Sequence, residues 1–226
     1  MDLTKFNREE FEAELGAHFP TARLGLLWHL TPGVLAEFEG ALASGGEEQI
    51  QRVLTANPYL IQYALERSGH HGVWVFPKAM IRPPGADGSR GLIPDYLVAS
   101  RSSLGYYWHV VELKRADRLF SNNAGNGLSP EGNRAIVQCN RYLNHFNDYI
   151  DTVRANVCVP EVVQPSGAVI LMGRAEAESI AQRQCRADFD RTNPNIVVVS
   201  YDRILHGARL DLDARVSKAR PTPSPD

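Results

Sequence analysis

Residues 93–114 restrict the fold more than any other stretch of the chain. Two segments rich in β-branched and aromatic residues, 93–99 and 106–114, flank Arg101-Ser102-Ser103-Leu104-Gly105, which has turn composition. The sequence therefore predicts an antiparallel hairpin. Side chains in a strand alternate between faces, so Val111 and Leu113 go to a core while Glu112 and Lys114 share the opposite side. Pairing of the two strands then brings Asp95, which follows Pro94, beside Glu112. Two carboxylates with an ammonium next to them suit a hard divalent cation, Mg²⁺ with Mn²⁺ as a substitute. The chemistry this fits is metal-assisted hydrolysis of a phosphodiester. Asp95 and Glu112 hold the metal, and Lys114 orients a water or offsets developing charge. The plainer reading is an ion pair of Glu112 with Lys114 or Arg115 at a sheet edge. Against it stands the apolar run Val110-Val111-Glu112-Leu113, where an ionised group is costly unless it is paired or binds a metal.

Two helices are expected around this hairpin. Ser44-Gly45-Gly46 makes a break and cap, and Ile50, Val53 and Leu54 form an apolar stripe over residues 47–61. Glu47 lies three residues before Ile50, over the face that packs, and Glu48 falls nearer the flank. One of them completes a metal shell in this reading, Glu47 by preference, although any first helical turn favours acids. Residues 130–149 give the second helix, with Ala135, Ile136, Val137, Leu143 and Phe146 as apolar contacts. Arg134, Gln138, Arg141, Tyr142 and His145 recur as one polar stripe suited to phosphate contacts, or equally to a solvated face.

The remainder supplies a frame. Residues 1–43 read as helical, with Phe6, Phe11 and Leu15 on one stripe and a short helix over 33–42 after Thr31-Pro32. Trp28 and His29 read as packing residues. A strand is expected near 72–81, and His70-His71 before it stands at a loop end, since adjacent histidines rarely chelate one ion. The loop 121–127, rich in Asn and Gly, reads as mobile. Continuous apolar runs at 167–172 and 195–201 suit buried strands, with a helix inside 174–190 between them. The tail 218–226 carries three prolines and reads as disordered. This order of elements gives an α/β domain with a mixed sheet flanked by helices.

Taken together, the residues resemble the Shedu family of prokaryotic anti-phage proteins, a branch of the PD-(D/E)xK nuclease superfamily. The matching pieces are Glu47 with Ile50-Gln51, Leu54 and Asn57-Pro58, then Pro94-Asp95, Val111-Glu112-Leu113-Lys114-Arg115 and Gln138-x-x-x-Tyr142. The closing stretch 196–205 resembles the family's last strand and helix, so the likeness spans about residues 45–206. Ile93 departs from it, standing where the family often has a basic residue. The resemblance implies a restriction-endonuclease-like nuclease domain over 44–217, a helical N-terminal extension over 1–43 and the tail beyond 218. It further implies catalytic Asp95, Glu112 and Lys114, supported by Gln138 and a helix glutamate. The expected function is DNA cleavage in phage defence, by a symmetric homo-oligomer answering a phage-derived trigger. The alternative is a catalytically inactive module of the same fold that senses nucleic acid or a phage protein.

Composition narrows the setting. Cys139, Cys158 and Cys185 are odd in number and lack metal-binding spacing, which suits a reducing, cytoplasmic compartment. There is no signal peptide and no apolar run long enough to span a bilayer, so no membrane association is expected. A formal net charge of −2 does not suit tight nonspecific binding to DNA. Any electrostatic footprint must be local, with Lys114, Arg115, Arg118, Arg134 and Arg141 as its candidates.

Overall fold

A computed structural model describes residues 7–65, 72–86 and 88–219, with the side chains of 216–219 left aside. Phe6, the His70-His71 pair and residues 220–226 lie outside the described residues.

The chain folds as a six-stranded mixed sheet covered on both faces by helices. In chain order the elements are α1 (Arg8–His18), β1 (Arg23–Gly25), α2 (Pro32–Ser44), α3 (Glu47–Ala56), β2 (Val73–Pro77), β3 (Tyr96–Ser102), β4 (Gly105–Leu113), α4 (Pro130–Phe146), α5 (Ile150–Val157), β5 (Gly167–Leu171), α6 (Ile180–Thr192), β6 (Ile196–Val199) and α7 (Tyr201–Ala219). A 3₁₀ segment, Pro58–Ala64, continues from α3. Spatial order follows chain order from β1 to β6. The first four strands are antiparallel, and β4, β5 and β6 run parallel. A parallel step needs a crossover, which α4 and α5 supply between β4 and β5, and α6 between β5 and β6.

Local chemistry accounts for the boundaries. Pro32 and Pro130 open α2 and α4, where a missing N–H costs nothing. Thr31 Oγ1 accepts the Val34 N–H at 3.2 Å and Ser129 Oγ the Gly132 N–H at 2.9 Å, satisfying first-turn donors. Gly45 ends α2 at φ 68°, a left-handed conformation that glycine adopts without steric cost. The hairpin expected from the sequence is present, turning at Ser103-Leu104, with Tyr96 paired to Val111 and Ser102 to Gly105.

The sheet separates two apolar cores. One packs α2, α3, the 3₁₀ segment and α7 against Val75, Tyr96, Val111 and Leu171. The other packs α1, α4 and α5 against Trp74, Leu97, Trp108, Val110 and Ile170. Several expectations change here. The first 43 residues are not wholly helical: Arg23–Gly25 forms the edge strand β1, hydrogen-bonded to β2. Leu15, Phe19 and Leu26 are buried in the second core and Leu35, Phe38 and Leu42 in the first, so the segment folds back onto its own sheet. The helix expected over 130–149 ends at Phe146, and a separate α5 follows; Val137 is half exposed rather than an apolar contact. The loop 121–127 is tied down: Asn122 N–H donates to the Gly127 carbonyl at 2.8 Å, and Gln182 Nε2 on α6 donates to the Asn122 carbonyl at 3.0 Å. Helix α7 also reaches Ala219, so its backbone passes the boundary expected at 218. Among the described residues no helix is long and apolar enough to cross a membrane.

Candidate active site

The candidate site lies where β3 begins and β4 ends, between α3 on one face of the sheet and α4 on the other. Continuing the β3–β4 register one residue beyond Tyr96–Val111 sets Asp95 opposite Glu112. Both are buried, at 5% and 4% exposure, a depth at which carboxylates rarely sit without partners.

Every oxygen of the pair has a donor. Asp95 Oδ2 accepts the Leu113 main-chain N–H at 2.7 Å, and Oδ1 accepts Gln51 Nε2 at 3.1 Å and the Lys78 ammonium. Glu112 Oε1 accepts Lys114 Nζ at 2.7 Å, and Oε2 accepts the Tyr142 hydroxyl at 3.2 Å. The supporting elements are themselves fixed. Tyr96 Oη donates to the Gln51 carbonyl at 2.8 Å, fastening α3 to β3, and the Tyr201 hydroxyl at the start of α7 donates to the Lys114 carbonyl at 2.6 Å. The Lys114 N–H continues the β4–β5 ladder to the Leu171 carbonyl at 2.9 Å.

The electrostatics follow from crowding in a dry place. Burial, and then the charge of Asp95, push Glu112 above the ordinary glutamate value, against the pull of Lys114 and Tyr142. Half-buried Glu47, in the first turn of α3, is likewise raised by burial, with Asp95 adding to the shift and Lys114, Lys78 and Arg115 opposing it. Burial alone lowers the Lys114 ammonium, but the charge and hydrogen bond of Glu112, with Glu47 and Asp95 behind it, hold it above the ordinary lysine value. Tyr142 is pushed far up by burial and then by Glu112, so its hydroxyl remains a donor.

Of the residues singled out in the sequence, Lys114 touches Glu112, Asp95 stands opposite Glu112 across the two strands, and Glu47 shares their field. Glu48 is exposed on the flank. Gln138 is half-buried on α4, one turn before Tyr142, and its side chain makes no hydrogen bond among the described residues. The polar stripe on α4 divides. Tyr142 is buried, turns inward to Glu112 and holds it, instead of facing a phosphate backbone; Arg134, Arg141 and His145 stay toward solvent. Arg134 pairs with Glu131 at 2.8 Å, and Arg115 makes a two-pronged pair with Asp117 at 2.8 and 2.6 Å, which spends much of their charge locally.

Two site residues have no role in the sequence analysis. Gln51 stands one helical turn after Glu47, and that i, i+4 spacing was a usable signal. Lys78 offered none. It follows β2 with φ 53°, a left-handed conformation uncommon for a side chain of this kind, and its N–H donates to the Asp95 carbonyl at 2.9 Å.

Asp95 and Glu112 offer hard carboxylate oxygens of the kind Mg²⁺ takes, in a setting that raises Glu112 first through burial and then through the charge of Asp95. These two are the residues able to hold the ion. Among the described residues no group of three or more His, Cys, Asp or Glu gathers closely enough to hold a metal ion, so Glu47 stands in the field of the pair without joining a preformed cage. No protein-family model matches this chain, and no curated protein matches it.

Proposed function

We propose that the protein is a Mg²⁺-dependent endodeoxyribonuclease, with Asp95 and Glu112 as metal ligands and Lys114 as the cation of the reaction. The observation that carries this reading is the pair of buried carboxylates set opposite each other across β3 and β4, with Lys114 Nζ 2.7 Å from Glu112. When bound, the metal supplies Lewis-acid polarisation of a phosphate and acidifies a water. Leu113 and Gln51 hold the Asp95 carboxylate in one orientation, and Tyr142 does the same for Glu112. Lys114, charged through the neutral range, offsets negative charge developing on the phosphate oxygens. The residue pattern shared with the Shedu family supports a role in cytoplasmic anti-phage defence, with DNA as substrate and a phage-derived signal as trigger. It also supports a symmetric homo-oligomer, since cutting both strands takes two sites. Light scattering reads that assembly directly.

Nicking of supercoiled plasmid with Mg²⁺, and with Mn²⁺ in its place, tests the activity. Wild-type protein is expected to nick; Asp95→Asn and Glu112→Gln are expected to lose at least about 100-fold in rate while keeping the fold. Nicking by either variant at the wild-type rate removes the assignment. A second reading, a catalytically inactive sensor of nucleic acid or of a phage protein, is favoured by one feature: all four carboxylate oxygens already have protein donors. It predicts no metal-dependent nicking by the wild type under any trigger.

A further inference from the structure

Beside the site, α3, β1 and the end of β2 border an open cleft of about 440 Å³, lined by Arg23, Glu48, Gln51, Arg52, Thr55 and Lys78 among others. Its charge balance is three cations to one carboxylate, in a chain whose net charge is −2. Arg23 and Arg52 are exposed, and among the described residues neither has a carboxylate within ion-pair distance. That separates them from Arg115 and Arg134, whose charge is met by Asp117 and Glu131. The cleft also opens onto the site. Gln51, in its wall, donates to Asp95 Oδ1 at 3.1 Å, and the Lys78 ammonium reaches the same oxygen.

Unpaired guanidinium groups are the groups best suited to phosphate oxygens, through paired charge-assisted hydrogen bonds. A cleft of this volume admits a unit of sugar-phosphate chain. We propose that the cleft seats the backbone of the nucleic-acid strand flanking the bond to be cut, with Arg23 and Arg52 as phosphate-binding residues and Lys78 at the junction with the site. This identifies the substrate-binding side of the proposed nuclease and rests on that reading for the word substrate, though not for the binding itself. It places the strand on the α3 side of the sheet, opposite the α4 stripe and away from Arg134 and Arg141.

The test is fluorescence anisotropy of a labelled DNA duplex in EDTA, across a salt series, with plasmid nicking in Mg²⁺ measured in parallel. Arg23→Ala/Arg52→Ala is expected to weaken binding roughly tenfold and to lower the slope of log K against log[salt] by about 2. Arg23→Lys/Arg52→Lys is expected to keep most of the affinity. Arg191→Ala, on α6 beside the opposite edge strand, is expected to bind like wild type. Both arginines are exposed, and a near-UV circular dichroism spectrum like the wild type's verifies the fold. Unchanged affinity and slope in the double alanine variant overturn the proposal, as does a wild type that binds no DNA. If the wild type fails to nick while the double variant loses binding, the cleft stands and the nuclease reading falls. If the wild type nicks and the double variant binds as well as it does, the cleft falls and the nuclease reading stands.

Discussion

Asp95 Oδ2 accepts the main-chain N–H of Leu113 at 2.7 Å, so the first acidic residue of the site is anchored to the backbone between the second, Glu112, and Lys114. The bond links the lead-in of β3 to the end of β4 just past their last paired residues, Tyr96 and Val111. Any shift of one strand against the other would separate Asp95 from Glu112 and break this bond together. The register of the sheet and the geometry of the carboxylates are therefore one property.

That anchoring separates two substitutions of Asp95. Leu113 is fully buried, and an N–H without an acceptor there costs about 1–3 kcal/mol. Asp95→Ala removes the acceptor and is expected to destabilise by that amount in urea unfolding. Asp95→Asn keeps an oxygen for Leu113 and is expected to cost clearly less, although under the proposed function both variants are expected to lose the ligand charge and the cleavage. Equal unfolding midpoints for the two would show that the Leu113 bond contributes nothing.

If Asp95 holds a metal as proposed, Lys78 competes with it for the Asp95 carboxylate. Its ammonium is half exposed, so the pair itself adds little to stability, yet it occupies the oxygen that a cation needs. Lys78→Met is expected to raise Mg²⁺ or Mn²⁺ affinity several-fold in calorimetry while leaving the unfolding midpoint within about 0.5 kcal/mol of wild type. Metal affinity that stays the same or falls would place Lys78 outside the ligand competition.

How much of this was legible in the sequence depended on whether the signal was local. The hairpin announced itself through β-branched and aromatic runs around a turn, and the alternation of Glu112 with Val111 and Leu113 placed the carboxylate correctly beside Asp95. The sides of α4 were harder. Tyr142 fell on a polar stripe by spacing, but its ring fills the core and only its hydroxyl is polar, so a binary pattern misassigned it. Arg23–Gly25 sits in a segment of helical composition, and three residues are too few to show a strand period; pairing to β2 determines its conformation. Lys78 reaches Asp95 through a left-handed turn set by tertiary contacts across 17 residues of chain, which no local pattern encodes. The loop 121–127 has the composition of a flexible segment, yet α6, some 60 residues later, supplies the groups that hold it.

The proposed function gives Lys114 and Glu112 separable roles. The ammonium touches a Glu112 oxygen and supplies no ligand itself, so under the proposed function Lys114→Ala is expected to lower nicking by about 10²–10³-fold while metal affinity at pH 8 does not fall. Glu112→Gln is expected to lose both. A parallel fall in metal affinity for Lys114→Ala, as large as that for Glu112→Gln, would make the lysine a structural support of the ligand.

The raised Glu112 carboxyl gives the metal-free protein a pH signature of defined sign. Burial and Asp95 place its folded-state value above the ordinary 4.5, so over that window the folded chain binds a proton that the unfolded chain does not. Stability attributable to this group therefore rises as pH falls through the folded value, and levels off below the unfolded one. In EDTA, the stability of wild type relative to Glu112→Gln is expected to shift in favour of the wild type between neutral pH and about 4.5. Tyr142→Phe removes a bond that favours the ionised form, so it is expected to move the onset of this recovery to higher pH. Urea midpoints of the three proteins across the series decide the matter. A difference that stays flat, or that moves toward Glu112→Gln as the solution is acidified, would mean the carboxylate is stabilised in its buried setting rather than strained by it.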